Sequence, residues 1–381
     1  MTSVSDFTWL LWAFPLVFAM GWAFSRLDIW QWRRNPGNAP GATFRGLSLL
    51  LNEQQDEAID AFIEAVQSDP DSSELHFALG NLFRRRGDYD RAIRVHEHLL
   101  ARADLSQSDH HRAQQALALD FLKAGLLDRA EAAYRALLDT RYQHEAQMAL
   151  LGIYERTRDW EHARHMAQSL SSTETVAQLS SRLAHFACEQ ADAALRAGNE
   201  QQALQLYRQA LSDHPNHVRA RLGEARVLQM QEQQTAALQS LLACAQAHPD
   251  HWPLLAAAIP ALAHATGRTD EMVQVLETAY AQTPSIDVVL ALCALQPHTQ
   301  SARLLKHLES HTSIALSHRW LQQHTGIALP EGIDRSLDKA SIPQQRYRCV
   351  SCGFEARTWF WQCPGCQAWD SYPPRRVEEQ S

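Results

Sequence analysis

Glycine and proline are scarce, with 15 of each among 381 residues. Both break helices, so their scarcity favours long helical stretches. An excess of positive charge is also missing. The formal net charge is −8, which leaves the chain without the electrostatic footprint of a nucleic-acid binder. No GxxxxGK[ST], GxGxxG, GxSxG or HExxH pattern occurs, so no phosphate cradle, nucleophile elbow or zinc-hydrolase site can be assigned and the chain reads as non-enzymatic. Cysteine is sparse outside one cluster. Cys188, Cys244 and Cys293 are far apart in Ala- and Leu-rich surroundings and read as buried small hydrophobes in helices. Seven cysteines with four crowded into residues 349–366 do not make a disulfide framework. They point to a reducing compartment and one metal site.

One long run lacks charge altogether. Residues 7–24, FTWLLWAFPLVFAMGWAF, are 18 residues without a charged side chain, and as a helix they span about 27 Å, close to a bilayer's hydrocarbon core. Trp9 and Trp12 near one end and Trp22 and Trp30 near the other fit interfacial aromatic belts. No basic residue precedes Phe7 and no small-residue cleavage pattern follows, which argues against a cleaved signal. Arg26, Arg33 and Arg34 stand against one Asp28 just beyond the run. The positive-inside rule puts that flank in the cytoplasm. The expectation is a transmembrane anchor at residues 1–25 and a juxtamembrane linker at 26–40, with the remainder cytoplasmic.

What the middle of the chain does have is a repeat. Gly46 and Gly80 are 34 residues apart, as are Ala58 and Ala92, Ala203 and Ala237, and Pro215 and Pro249. Ala130 to Ala163 is 33 and Pro249 to Pro284 is 35. A 34-residue period with a small residue in each of two helices and a closing proline resembles the tetratricopeptide repeat. Small residues let paired helices approach, Phe62, Tyr134, Tyr207 and Leu276 fill the space between repeats, and proline stops the second helix. About seven repeats are expected over residues 41–290 and a capping helical pair over 291–326. The fold class is all-α, a superhelix with a concave face for protein partners. Arg84, Arg85 and Arg86 end one expected helix and read as a solvated terminus complementing its dipole. His162 and His165 lack a third ligand nearby and read as surface residues, and His110 and His111 fall in a polar connection.

Residues 347–374 read YRCVSCGFEARTWFWQCPGCQAWDSYPP. Two C-x2-C turns separated by ten residues bring the thiolates of Cys349, Cys352, Cys363 and Cys366 around one ion. A tetrathiolate takes iron or zinc, and spacing does not choose between them. So short a module cannot bury a sufficient core without a metal cross-link. Phe354, Trp359, Phe360, Trp361, Trp369 and Tyr372 are expected to form a small aromatic core over the ion. The paired cysteines and the CPGC turn resemble rubredoxin, with Gln367 where that pattern has glycine and a much shorter gap between the pairs. A linker is expected at 327–346 and a polar tail at 375–381.

Anchor, tetratricopeptide array and rubredoxin-like knuckle in this order resemble the bacterial lipopolysaccharide assembly protein B family, as do the stretches ALGNLFRRRGDYDRAIRVHEHLL and FLKAGLLDRAEAAYRALL. The resemblance implies a single-pass inner-membrane protein facing the cytoplasm. It implies an adaptor that regulates lipopolysaccharide synthesis by promoting degradation of the lipid A pathway deacetylase. The implied partners are that deacetylase, a membrane AAA+ protease and other inner-membrane envelope proteins. Two other readings stand beside it: a general envelope-assembly scaffold or chaperone, and a rubredoxin-type electron carrier.

Overall fold

The computed structural model describes residues 39–170, 176–324 and 329–380. The uncharged run at residues 7–24 and the arginines after it lie outside the described residues. Among the described residues, no helix is long and apolar enough to cross a membrane. The chain divides into two compact units, Met1–Ile153 and Tyr154–Ser381.

The first unit is built of antiparallel helix pairs: α1 (Ala39–Leu51) with α2 (Gln55–Ser68), α3 (Ser73–Arg86) with α4 (Tyr89–Leu100), and α5 (Gln107–Lys123) with α6 (Leu127–Arg135). The division falls within α7 (Gln143–Thr157). Spacing explains why these segments are amphipathic. In α4 the buried residues are Ala92, Ile93, His96 and Leu99, which fall on one face of a 3.6-residue helix. Close approach explains the small residues. Ala58 and Ala92 are fully buried, and a Cβ at Gly46 would meet the Phe62 ring at 2.7 Å, one at Gly80 the His96 ring at 2.5 Å.

In the second unit, α8 (Trp160–Leu170) precedes the long α9 (Val176–Arg196). It is followed by α10 (Glu200–Asp213), α11 (Val218–Met230), α12 (Gln234–Ala247), the short α13 (Trp252–Ala256), α14 (Ile259–Thr266) and α15 (Thr269–Gln282). Tyr207 and Leu276 are buried where successive helices meet, and Cys188, Cys244 and Cys293 are buried among them. Gly223 of α11 lies flat against the Tyr207 ring: a Cβ there would come within 2.2 Å of it. The ring cannot swing clear, because Tyr207 is 1% exposed and its hydroxyl donates to Asp192. Gly223→Ala is therefore expected to destabilise the second unit by about 1–3 kcal/mol through overpacking, read as a lower midpoint in thermal or urea unfolding. An unchanged midpoint would mean that α10 and α11 move apart freely.

Two expectations from the sequence need correction. Arg84 is not a solvated terminus. Its guanidinium donates to the fully buried Asp120 at 2.8 Å and to the Ala116 carbonyl at 3.2 Å, because the next repeat places α5 across the end of α3. The stretch 327–346 is not merely a linker: it carries α19 (Glu331–Ser341). Glu331 and Asp334 in its first turn and Lys339 in its last suit the helix dipole. It packs on α18 (Ile314–His324), where His318 Nε2 meets Asp334 Oδ1 at 2.8 Å. The polar tail is tied to the helices. Arg376 donates to Asp287 at 2.7 Å, and Glu379 accepts from the Ile286 N–H at 2.7 Å, at the start of α16 (Ile286–Leu295). A carboxylate at a helix N-terminus satisfies an otherwise orphaned donor. α17 (Gln300–Ser310) follows α16 and packs on α18, a helical pair within the expected 291–326.

Candidate metal centre

The knuckle is assembled from two similar turns. In the first, β1 (Tyr347–Arg348) leads into Cys349, the Gly353 N–H donates to the Cys349 carbonyl at 2.9 Å, and β2 (Glu355–Ala356) returns antiparallel to β1. Gly353 has φ +75°, a left-handed conformation that suits glycine. In the second turn the Gln367 N–H donates to the Cys363 carbonyl at 2.8 Å, and the Cys363 N–H donates to Ala368 at 2.9 Å. Gln367, the departure from the rubredoxin pattern, has φ +62°, so it occupies the left-handed conformation with a side chain attached.

The four sulfurs converge within 4.8 Å of one another. Cys349 and Cys366 are separated by 3.8 Å, Cys352 and Cys363 by 3.7 Å. Four thiolates at about 2.3 Å from one ion form a tetrahedron whose edge is about 3.8 Å, so the donor set fits a tetrathiolate metal. Cys349 and Cys363 are buried, while Cys352 and Cys366 reach the surface. Burial opposes the Cys349 thiolate, but the Ser371 hydroxyl and the N–H groups of Cys352 and Ser351 outweigh it and hold the thiol down to about 6. Burial likewise opposes the Cys363 thiolate, and the N–H groups of Cys366 and Gly365 pull its pKa below the usual thiol value. The turns thus aim backbone donors at sulfur, which favours the form that binds metal.

The expected aromatic core divides. Tyr372 is buried beside Cys349 and Cys363, with Trp359 partly buried against them and its indole N–H donating to the Tyr372 carbonyl at 3.1 Å. Phe354 and Phe360 are exposed. Trp361 meets Trp359 edge-on with centroids 4.1 Å apart and also reaches the helices, and Trp369 packs on the helices. Trp369 stacks on His185 of α9 with centroids 4.4 Å apart, meets Trp160 and Phe186 edge-on, and donates to Glu155 at 3.2 Å. Trp361 packs against the core of α11 to α16, with the Arg219 guanidinium 6.0 Å from its ring centre.

Between these two indoles, Asp370 meets the array. Its carboxylate oxygens are 2.9 and 3.0 Å from His185 Nε2, and it accepts from Ser181 at 3.0 Å. His217, at the N-terminus of α11, packs edge-on to His185 with centroids 4.3 Å apart. Burial lowers the pKa of both imidazoles: His185 against the pull of Asp370, and His217 with His185 adding to the effect, to about 2. Asp370, His185 and His217 were not singled out from the sequence. Asp370 follows the second C-x2-C closely, but no motif ties it to a histidine 185 residues earlier. His162 and His165 are exposed as expected, His162 paired with Asp159.

Known proteins resemble this chain in the same two parts. The rubredoxin metal-binding domain family matches residues 347–373, and tetratricopeptide-repeat families match residues 75–109, 115–169 and 188–251. Lipopolysaccharide assembly protein B of Escherichia coli (strain K12) is 29% identical over 376 residues, covering 95% of this chain and 96% of that protein. Its counterpart in Haemophilus influenzae is 26% identical over 393 residues, covering 96% of this chain and 98% of the other. Among solved structures, Naa15/Naa10 bound to HypK-THB aligns at 18% identity with a TM-score of 0.48, covering 77% of this chain and 48% of that one.

Proposed function

Because this chain is a relative of lipopolysaccharide assembly protein B along nearly its whole length, we propose that it is a non-enzymatic scaffold that regulates lipopolysaccharide synthesis. In this reading residues 1–25 anchor it in the bacterial inner membrane, with the arginine-bearing flank and everything beyond it in the cytoplasm. The array holds the lipid A pathway deacetylase beside a membrane AAA+ protease. The knuckle carries one iron or zinc ion on Cys349, Cys352, Cys363 and Cys366, and when bound that ion supplies a cross-link in place of a hydrophobic core.

The observation that carries this reading is the docking of the knuckle. Trp361, Trp369 and Asp370 are spent on the helices, so the metal module and the array act as one surface. A tether suits the same role, since confining scaffold and protease to one membrane raises their effective concentration.

An adaptor changes substrate delivery and leaves the protease's intrinsic activity alone. Depleting the protein should lengthen the deacetylase half-life several-fold in a pulse-chase and raise lipopolysaccharide, with cleavage of an unrelated substrate unchanged. An unchanged half-life would sink the adaptor role and favour the general envelope-assembly scaffold.

A further inference from the structure

Where the knuckle meets the array, His185, His217 and Asp370 each bring one nitrogen or oxygen donor to within 4.8 Å of the others. We infer that these three residues form a second metal site, separate from the tetrathiolate, for a divalent cation of the zinc type. The residues come from three places: the middle of α9, the start of α11 and the second turn of the knuckle.

The chemistry of the donors fits. Two imidazoles and a carboxylate are a common three-ligand set for zinc, with a fourth position left for water or another donor. Both rings are buried, and burial favours the neutral imidazole that a metal binds. His185 Nε2 is 2.9 and 3.0 Å from the Asp370 oxygens. Ligands at 2.0–2.1 Å around a tetrahedral ion are about 3.3 Å apart, so the His185–Asp370 pair opens by a few tenths of an ångström, and the His217 nitrogen, within 4.8 Å of both, closes in on the ion. Asp370 is half-exposed, at the end of the knuckle that has room to give. His217 caps α11 by accepting the Ala220 N–H on Nδ1, a contact weak enough to give up. Its Nδ1 is 3.4 Å from the Ala220 N–H and 3.9 Å from the Cys188 sulfur, both long contacts, so Nε2 is available once Nδ1 carries the proton.

The surroundings point the same way. A cavity of about 290 Å³ opens beside His217 and Asp370, lined also by His214, His248 and His251. His185 Nδ1, His214 Nδ1, His248 Nε2 and His251 Nδ1 are buried with no hydrogen-bond partner in the protein. Such groups are ordinarily satisfied, and an ion on the cavity side offers one of His214, His248 and His251 a partner that a plain His185–Asp370 latch does not. A cation held on His185, His217 and Asp370 gives the cavity a ligand-binding purpose, and one of its other histidines or a water completes the coordination. Such an ion would pin the knuckle to α9 and α11.

The test uses the full chain in detergent with its tetrathiolate metal in place, stripped of weakly held ions and then dialysed against cobalt(II). Wild type should take up one further equivalent per chain, with weak visible bands and no added sulfur-to-metal charge transfer. Asp370→Asn keeps the hydrogen bonds to His185 and Ser181 and tolerates φ +51°, yet loses the anionic ligand. It should fail to take up that equivalent while keeping the tetrathiolate metal. His217→Gln lies on the array, outside the knuckle, so its result stands even if position 370 disturbs the second turn. It should also lose the further equivalent, with helical circular dichroism unchanged. No second equivalent in wild type, or equal uptake by His217→Gln, would overturn the site and leave a hydrogen-bonded latch only.

Discussion

Cys363→Ser combined with Cys366→Ser will empty the tetrathiolate and unfold residues 347–373, while the helices of the array stay folded. The expectation rests on how little else holds the module. Its sheet is two residues on each strand. Its buried residues among hydrophobics and thiols are Cys349, Cys363 and Tyr372, with Tyr347, Ala356 and Trp359 partly buried against them. A structural tetrathiolate ion contributes about 10–16 kcal/mol of apparent binding energy, which in a module this small is most of its folding free energy. Losing two ligands removes nearly all of it.

The consequences reach the helices. Trp369 would leave His185 and Phe186, and Trp361 would leave Arg219 and the core of α11 to α16. The tetrathiolate equivalent should vanish from metal analysis, indole fluorescence should shift to the red, and protease should cut near residue 346. Helical circular dichroism should fall little, because the array keeps its own buried clusters. A double variant that kept its metal and resisted cleavage would dismiss the cysteines as ligands.

The sequence carried the periodic part of the molecule well. Gly46 and Gly80 were readable as close-approach positions because a period of 34 repeats them, and the rings of Phe62 and His96 do press on them. The four cysteines were readable because a C-x2-C turn is local. What escaped was non-local and aperiodic. Trp361 and Trp369 looked like core because aromatic residues near a metal site usually are. Nothing in residues 347–374 says that a helix face with Trp160, His185 and Phe186 waits for them. The helix within the linker and the anchoring of the tail escaped for a similar reason. Helix α19 and the Glu379 contact depend on partners at His318 and Ile286, and polar composition alone does not reveal partners.

Asp120→Ala, in the first unit, should destabilise its repeats by about 3–5 kcal/mol, the usual result of leaving a buried charge without its partner. Asp120 is fully buried in α5 and accepts from Arg84 of α3 and from His96 of α4. It thus ties three helices across two repeats. Alanine leaves the Arg84 guanidinium, 18% exposed, with the Ala116 carbonyl and Asn81 and with no carboxylate. The direction of the effect separates pairing from burial. Arg84→Met with Asp120→Leu removes both charges and should recover part of the loss, since apolar residues replace a buried pair at little net cost, while the buried His96 Nδ1 is left without its partner. Hydrogen exchange is the suitable measurement. In Asp120→Ala the amides of α3, α4 and α5 should lose protection together, while those of α9 to α12 keep theirs, because repeats couple mainly to their neighbours. Protection equal to wild type in α3–α5 would mean that water or Asn81 replaces the carboxylate. The buried triad would then be dispensable to the array.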